Sequence, residues 1–495
     1  MTRPIKMGFI SAYLMAILWL GLLSTSAQDE GGIHLPGTQP GELRVPFSQP
    51  ALCARCHGGY APYAAHDQWL GTMMANSFRD PLFRAALAIA NQDTRIGGDF
   101  CLRCHAPVAW LAGQSTPTDG SRVGRDGAEG ISCEFCHRIE ARSLPSNSQY
   151  FIVDQPVVYG PYPEDVSGNL MLLATGRRPV FSEHVSRSEL CATCHEITNP
   201  LNQLPIENTY TEWRNSAFAR EGVECQDCHM PDVPGGGYAA QDPRVTTPFR
   251  EHVPQHIFVG GNAWVPLALA ELYPGLNRRA AYEQTAAEAV KMLRQAAELS
   301  VTLQQGSDRN ELIAQVRVTN LAGHKLPTGY PEGRRIWLQV TASDGAGRVF
   351  FESGRYDAEQ ARLIEDAQIK IYEAKFGIRG RGETFHFLLN DTLLKDNRIP
   401  PRGYVPDPRT NPVGAFYAPG QHWDVTTYRI PLSTAQRPVT VSAKLLYQTA
   451  SREYIEFLRD ENRSDDWGER LYQVWQRTGK SAPVVMAEAQ ATATF

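Results

Sequence analysis

The chain has 495 residues, a length that suits two or three domains. It is 42% hydrophobic and 20% charged, which excludes a coiled coil, a collagen-like rod and a mostly disordered chain. A net charge of −5 argues against a nucleic-acid binder driven by bulk positive charge, and ten cysteines are too few for a disulfide-dense mini-scaffold.

Residues 1–27 read as a secretory signal peptide. Arg3 and Lys6 supply the positive start, Phe9 to Leu23 form an apolar run, and Thr25, Ser26 and Ala27 are small residues at the cleavage site. The run is slightly short for a membrane anchor, no cysteine stands at the cleavage site for a lipid, and no later stretch spans a bilayer. The mature chain is expected to be exported, to a periplasm or a cell surface. Residues 28–50 read as a Gly/Pro linker.

Residues 51–260 hold every cysteine, in five copies of one pattern. These are Cys53-Ala-Arg-Cys56-His57, Cys101-Leu-Arg-Cys104-His105, Cys133-Glu-Phe-Cys136-His137, Cys191-Ala-Thr-Cys194-His195 and Cys225-Gln-Asp-Cys228-His229. C-x-x-C-H is the attachment signature of c-type haem. Two thiols at i and i+3 share one side of a helical turn and reach the two vinyl groups of one porphyrin. The next residue, His, then lies under the iron as proximal ligand. About 0.005 such motifs are expected by chance at this composition. Zinc would need regularly paired C-x-x-C groups or two His closing each unit, and a disulfide framework would need no His at all. Five covalent haems are therefore predicted, with porphyrins replacing much of an aliphatic core. Motif starts lie 48, 32, 58 and 34 residues apart, so the second and third haems, and the fourth and fifth, are expected to be close pairs. Haems packed this densely conduct electrons.

Each iron also takes a distal ligand: histidine gives a low-potential carrier, methionine raises the potential, and an open position admits substrate. His184 lies seven residues before Cys191, within reach of a neighbouring haem. His252 and His256 follow the last motif, and Pro254 between them points them to different haems. His324 is held in the turn-rich segment GHKLPTGYPEGRR. Met74 ends the unit WLGTMM, weakly echoed at Trp213 to Phe218, where Phe218 cannot ligate. His34, His66, His386 and His422 read as ordinary histidines.

Residues 261–298 form a helical connector, with an amphipathic helix over 277–298 burying Ala286, Ala289, Val290, Leu293 and Ala297. From 299 to 450 the periodicity changes to alternation. ELIAQVRVTN, RIWLQVTAS, RVFFESGRY, QIKIYEAKFGI, TFHFLLND, WDVTTYRIPL and VTVSAKLLYQ predict an all-β sandwich. Its first loop carries His324 with Arg334 and Arg335, and guanidinium groups suit haem propionates, so the sandwich is expected to dock on the haem domain. Residues 451–495 close the chain with a helix and tail. The fold class is thus multidomain: a multihaem cytochrome c domain of short helices and loops, followed by a β-sandwich.

WLGTMMANSFRDPLF, GDFCLRCHAP, ISCEFCHRI, ELCATCHEITNP, VECQDCHMP, HIFVGGN and GHKLPTGYPEGRR together make residues 50–340 resemble the multihaem c-type cytochromes, in particular the superfamily of the tetrahaem cytochrome serving hydroxylamine oxidoreductase. The resemblance implies proximal ligation by His57, His105, His137, His195 and His229. In that family a W-x-x-S-x-H segment often supplies a distal His; here the position is Met74 in one copy and Phe218 in the other. Catalytic members with a C-x-x-C-K haem exist, and that motif is missing here.

The expected function is single-electron relay by an exported pentahaem cytochrome. Its partners would be another cytochrome, a quinol-oxidising membrane complex or an extracellular acceptor, with no nucleic acid and no membrane span after signal cleavage. The alternatives are a multihaem reductase or oxidase acting on a small nitrogen or sulfur compound at an open haem, and a subunit of an extracellular haem filament.

Overall fold

The computed structural model describes residues 34–163, 168–244, 246–308, 310–433 and 435–494. The expected signal segment lies outside the described residues. Among those described, no helix is long and apolar enough to cross a membrane.

The first part is built from short helices: α1 (Pro50–His57), α2 (Ala65–Leu70), α3 (Pro81–Asp93), α4 (Gly97–His105), α5 (Cys133–Cys136), α6 (Ser188–Ala192), α7 (Thr209–Arg214) and α8 (Cys225–His229). A two-stranded parallel sheet of β1 (Val157–Gly160) and β2 (Arg178–Phe181) falls between α5 and α6. The start of α3 follows from the local sequence. Asp80 caps it by accepting from the Leu82 amide at 2.9 Å, and Pro81 occupies the first turn. The packed interior here is small and aromatic, with Phe78, Phe83, Trp110, Phe135 and Tyr150 around Leu87 and Leu102.

Helices α9 (Val265–Leu272) and α10 (Arg279–Gln295) follow. The predicted apolar face of α10 is largely observed, with Ala286, Ala289 and Leu293 buried. The helix stops at Gln295, and β3 (Ala297–Gln305) begins where the sequence reading still had helix.

Next come β4 (Glu311–Asn320), β5 (Arg335–Ser343), β6 (Val349–Ser353), β7 (Lys370–Tyr372), β8 (Ala374–Ile378), β9 (Thr392–Asp396), β10 (Trp423–Pro431) and β11 (Val439–Gln448). Two helices, α11 (Arg452–Asp460) and α12 (Trp467–Arg477), precede a last strand, β12 (Val484–Ala493). One sheet runs β10-β4-β3 and another β6-β5-β11-β12, with β7 also on β5. In β4 every second residue, Leu312, Ala314, Val316 and Val318, is fully buried, as a strand with one covered face requires. These residues share a core with Leu338, Val340, Val441 and Leu445 of the other sheet. The two sheets therefore pack face to face.

Three expectations change. The tail beyond 450 contributes two helices and a full strand of the sandwich, because β12 pairs along β11 from Val439↔Ala493 to Tyr447↔Val484. The segment TFHFLLND is turn rather than strand, pinned by a His386 Nδ1 contact to Asp93 at 2.9 Å. The described part of the supposed linker, from residue 34, is strapped to the body. Thr38 donates to the Tyr150 carbonyl and Gly41 to that of Leu111, each at 2.9 Å. The fully buried Arg103 also donates from Nε to the Ser148 carbonyl at 2.9 Å and from Nη2 to that of Pro36 at 2.5 Å.

Leu338 is fully buried and pairs with both Leu445 and Lys370. Leu338→Ala is expected to cost about 3 kcal/mol, read as a lowered urea midpoint for the C-terminal region.

Candidate haem-binding site

The motif helices bring the thiols together across the segment. Cys104 Sγ and Cys194 Sγ flank the Ser148 hydroxyl at 2.7 and 3.2 Å. Cys53 lies within hydrogen-bonding reach of Cys133, and Cys191 of Cys225. Cys56 contacts Asp242 at 3.6 Å. Cys101 packs against the buried cluster of Ala90, Phe100 and Leu388. Cys136 belongs to the aromatic cluster, and Cys228 is exposed. Thus the first motif meets the third, the second meets the fourth, and the fourth meets the fifth. Of the pairs expected from spacing, the fourth with the fifth is met by a thiol contact. The second and third motifs each contact another partner, because the return of the chain through 146–153 carries Ser148 between Cys104 and Cys194.

All five motif histidines have Nδ1 engaged. His57 points it at the Ala239 carbonyl (2.9 Å), His105 at Ser77 (3.2 Å), His137 at Tyr159 (2.5 Å) and His229 at Val259 (2.6 Å). His195 points it at the Glu207 carboxylate, 3.4 Å away. Such an outer partner fixes the tautomer and leaves the Nε2 lone pair for a metal. Desolvation keeps His105 neutral, down to about 4. Phe83 lies flat on the His105 ring, 3.8 Å between centroids and 5° from parallel, and holds its orientation.

Two of the expected distal histidines face motif histidines. His256 lies 6.3 Å from His137, centroid to centroid, with ring planes 15° apart. His324 lies 6.3 Å from His229 at 19°. Their own Nδ1 atoms go to the carbonyls of Pro254 (3.1 Å) and Lys325 (3.0 Å). Burial and the neighbouring His137 and His57 push His256 down to about 3, so it too is a neutral donor. This spacing is the width taken by two metal–nitrogen bonds of about 2 Å plus the two half-rings.

His184 is buried, and its Nε2 has no partner among the described residues. A buried polar atom of this kind calls for an acceptor or a metal. His252 is the departure. Its side chain is 83% exposed and pairs with Asp232 at 2.8 Å, because the Asp232↔Pro254 bridge turns it outward. Met74 is half-buried in the aromatic cluster, and its carbonyl accepts from Ile131 at 2.9 Å. His66 sits close enough to His57 to depress its protonation, with a side chain only 13% exposed. No pattern in the sequence marks it. Arg334 donates to the Thr328 carbonyl at 2.7 Å and keeps a buried Nε without a partner, as does Arg409. Such spare donors suit carboxylates. Buried imidazoles, neutral except for His195, which the Glu207 carboxylate helps hold up at about 9, clustered thiol pairs and spare guanidinium donors are the donor set that covalent haem requires.

His324 is positioned by residues outside any motif. Asn320, the last residue of β4, donates to the carbonyls of His324, Ile399 and Pro400 at 2.8, 2.9 and 3.0 Å. Next to it, fully buried Lys325 meets Asp396 at 2.6 Å, and Arg398 bridges Asp396 to Glu212 of α7 at 2.8 and 3.1 Å. Against the cost of burial, Arg398 and Lys325 pull the Asp396 carboxyl down to about 2. This neutral cluster ties the haem segment to the sandwich.

Comparison with known proteins gives two family matches and a similar fold. Residues 52–138 match the family model for cytochrome c554 and c-prime, and residues 205–255 match that for cytochrome c552. No curated protein matches the chain. Among solved structures, a penta-haem cytochrome c552 from Thermochromatium tepidum has a similar fold, with a TM-score of 0.57 at 18% identity. The likeness covers 90% of this chain and 99% of that one. The matched segments are thus similar to c-type cytochromes, and the fold of most of the chain is similar to that of a multihaem cytochrome. The cytochrome c families matched imply covalently bound c-type haem.

Lys325→Met leaves the buried cluster with one uncompensated negative charge, Arg398 then serving both Asp396 and Glu212, and is expected to cost about 3–5 kcal/mol, seen in urea denaturation. Glu332 gives a pH test. Buried with one 3.3 Å contact from Asn390, it is pushed from 4.5 up to about 8 by desolvation. A raised acid favours folding only while protonated, so its contribution is lost between pH 4.5 and about 8. Glu332→Gln is expected to gain stability relative to the wild type across that interval, and equal pH profiles for the two proteins would refute this.

Proposed function

We propose that the chain carries five c-type haems, one at each C-x-x-C-H unit, and relays single electrons between redox partners outside the cytoplasm. The observation that carries this reading is the pair of facing imidazoles, His137 with His256 and His229 with His324, each pair 6.3 Å apart. Bound haem supplies a one-electron Fe(III)/Fe(II) couple.

The chain's own residues do the rest. Cys53 and Cys56, Cys101 and Cys104, Cys133 and Cys136, Cys191 and Cys194, and Cys225 and Cys228 tether the macrocycles. His57, His105, His137, His195 and His229 would each hold one iron. His256, His324 and His184 would supply further ligands, each presenting a neutral nitrogen. Met74 stays a candidate for one further position, whereas the exposed His252 is set aside. No side chain acts as acid, base or nucleophile. Thiol contacts running from the first motif to the third, and from the second through the fourth to the fifth, support close spacing of successive centres. The partners are redox proteins or an extracellular acceptor that dock weakly, since a carrier must release. The signal-like segment at 1–27 supports export.

The test is holoprotein matured in a host competent for c-type haem. A pyridine haemochrome count of five per chain is expected, together with low-spin ferric signals in EPR. His256→Ala and His324→Ala should each convert one low-spin signal to high spin and leave the haem count at five. An unmodified polypeptide by mass spectrometry, or unchanged EPR in both variants, overturns the reading.

A further inference from the structure

Arg79 and Arg278 are far apart in sequence and share one carboxylate. Arg79 Nη2 donates to Glu129 Oε1 at 2.8 Å, and Arg278 Nη2 donates to Glu129 Oε2 at 2.7 Å. The three side chains are only 7%, 11% and 15% exposed. Two cations and one anion leave a buried unit charge of +1. Nη1 of each guanidinium is also buried without a partner among the described residues. The neighbouring tyrosines do not fill the gap: Tyr282 donates to Asn76 Oδ1 at 2.9 Å and Tyr273 to the Arg79 carbonyl at 3.4 Å. An uncompensated buried charge with two unspent donors is costly, and a second carboxylate would satisfy both the charge and the donors.

The place of this unit in the fold points to the source of that carboxylate. Glu129 lies four residues before Cys133 of the third motif. Arg79 lies two residues after Ser77, whose carbonyl takes His105 Nδ1 at 3.2 Å and whose hydroxyl donates to the His105 carbonyl at 2.8 Å. Gly130, at φ +59°, brings the two strands of chain together, and a Cβ there would lie 2.5 Å from both the Met74 carbonyl and the Ser77 hydroxyl. The unit therefore sits between the second and third attachment motifs, closed to solvent.

We infer that Arg79 and Arg278 form a clamp for a carboxylate, supplied by a propionate of the haem at the second or third motif, with Glu129 holding the clamp open. The inference rests on the haem reading above. Its consequence is electrostatic. The clamp keeps that propionate ionised in the interior and cancels its negative charge, which would otherwise favour the oxidised state of the adjacent haem; losing one arginine therefore lowers that haem's potential, and losing the Glu129 charge raises it.

The experiment uses the five-haem holoprotein, with haem labelled by 13C at the propionate carboxyls. Arg278→Met should leave the haemochrome count unchanged, move one step of the redox titration to lower potential and shift one labelled carboxylate band in the infrared spectrum. Glu129→Gln should move the same step to higher potential. Arg279→Met, an exposed neighbour paired with Glu283, should change neither. Arg278→Lys serves if the Met variant does not fold and should give a smaller shift of the same sign. Unmoved potentials and bands in Arg278→Met and Glu129→Gln overturn the clamp. So does the outcome in which no propionate band moves but added acetate alters the wild-type potential and not that of Arg278→Met, since the carboxylate would then come from solution. A wild-type count below five would instead strike the haem reading.

Discussion

The arrangement depends on where the Nδ1 protons of the motif histidines go. An imidazole can serve a metal only through the nitrogen that is not already bound. Here His57, His105, His137 and His229 turn Nδ1 toward backbone carbonyls, and His195 turns it toward Glu207. A carbonyl acceptor is insensitive to the side chain it belongs to, but its stretch of backbone must be delivered to the right place. That requirement accounts for the architecture of residues 50–260. Each motif helix is short because the chain has to turn back or receive another segment: Tyr159 of β1 returns to His137, and the loop at Val259 returns to His229. Regular secondary structure is sacrificed to place acceptors, and the deficit in ordinary packing falls to a compact aromatic cluster.

The sandwich is a rigid base for one loop. β4 and β5 carry alternating buried residues and share a dense core, so the segment between them starts and ends on fixed points. Asn320 and the Lys325–Asp396–Arg398–Glu212 cluster then determine where His324 stands. A cluster of buried charges contributes little net stability compared with apolar packing, but it tolerates few alternative geometries. Specificity of placement is what holds the His324 ring opposite His229, and this site spans the junction of two structural layers.

The sequence makes some of this legible and hides the rest for physical reasons. The C-x-x-C-H units stand out because attachment chemistry fixes both residue type and spacing. The strands over 311–320, 335–343 and 439–448 appear where alternation predicts them, since period two is a local property. β12 is hidden because VVMAEAQATA is rich in alanine, which disfavours strands; only pairing with β11 makes it one. TFHFLLND misled because its aromatic alternation is real, but the His386 contact to Asp93 bends it into turns. Distal ligands are the least legible. His256 and His252 are four residues apart in the same segment, and one faces His137 while the other pairs with Asp232 in solvent. Nothing local distinguishes them. The Asp232↔Pro254 bridge does, and that is a tertiary contact.

The buried arginines sort by what their donors reach. Arg103 and Arg138 spend theirs largely on backbone carbonyls, from Leu35 and Pro36 to Val153, and fasten the amino-terminal segment to the motif helices. Arg334 and Arg409 bury donors that no described group accepts. A folded chain seldom leaves such donors unspent, because each costs the full price of its lost hydration. The first class is complete with protein alone, whereas the second keeps donors free for a group from outside the polypeptide. The same division holds for the histidines, where His184 buries a nitrogen with no protein acceptor. The polypeptide is therefore a partial solution to its own electrostatics. Groups arriving from outside the polypeptide would add to the stability of this interior, in the way metal binding supplies folding free energy to small metal-dependent domains.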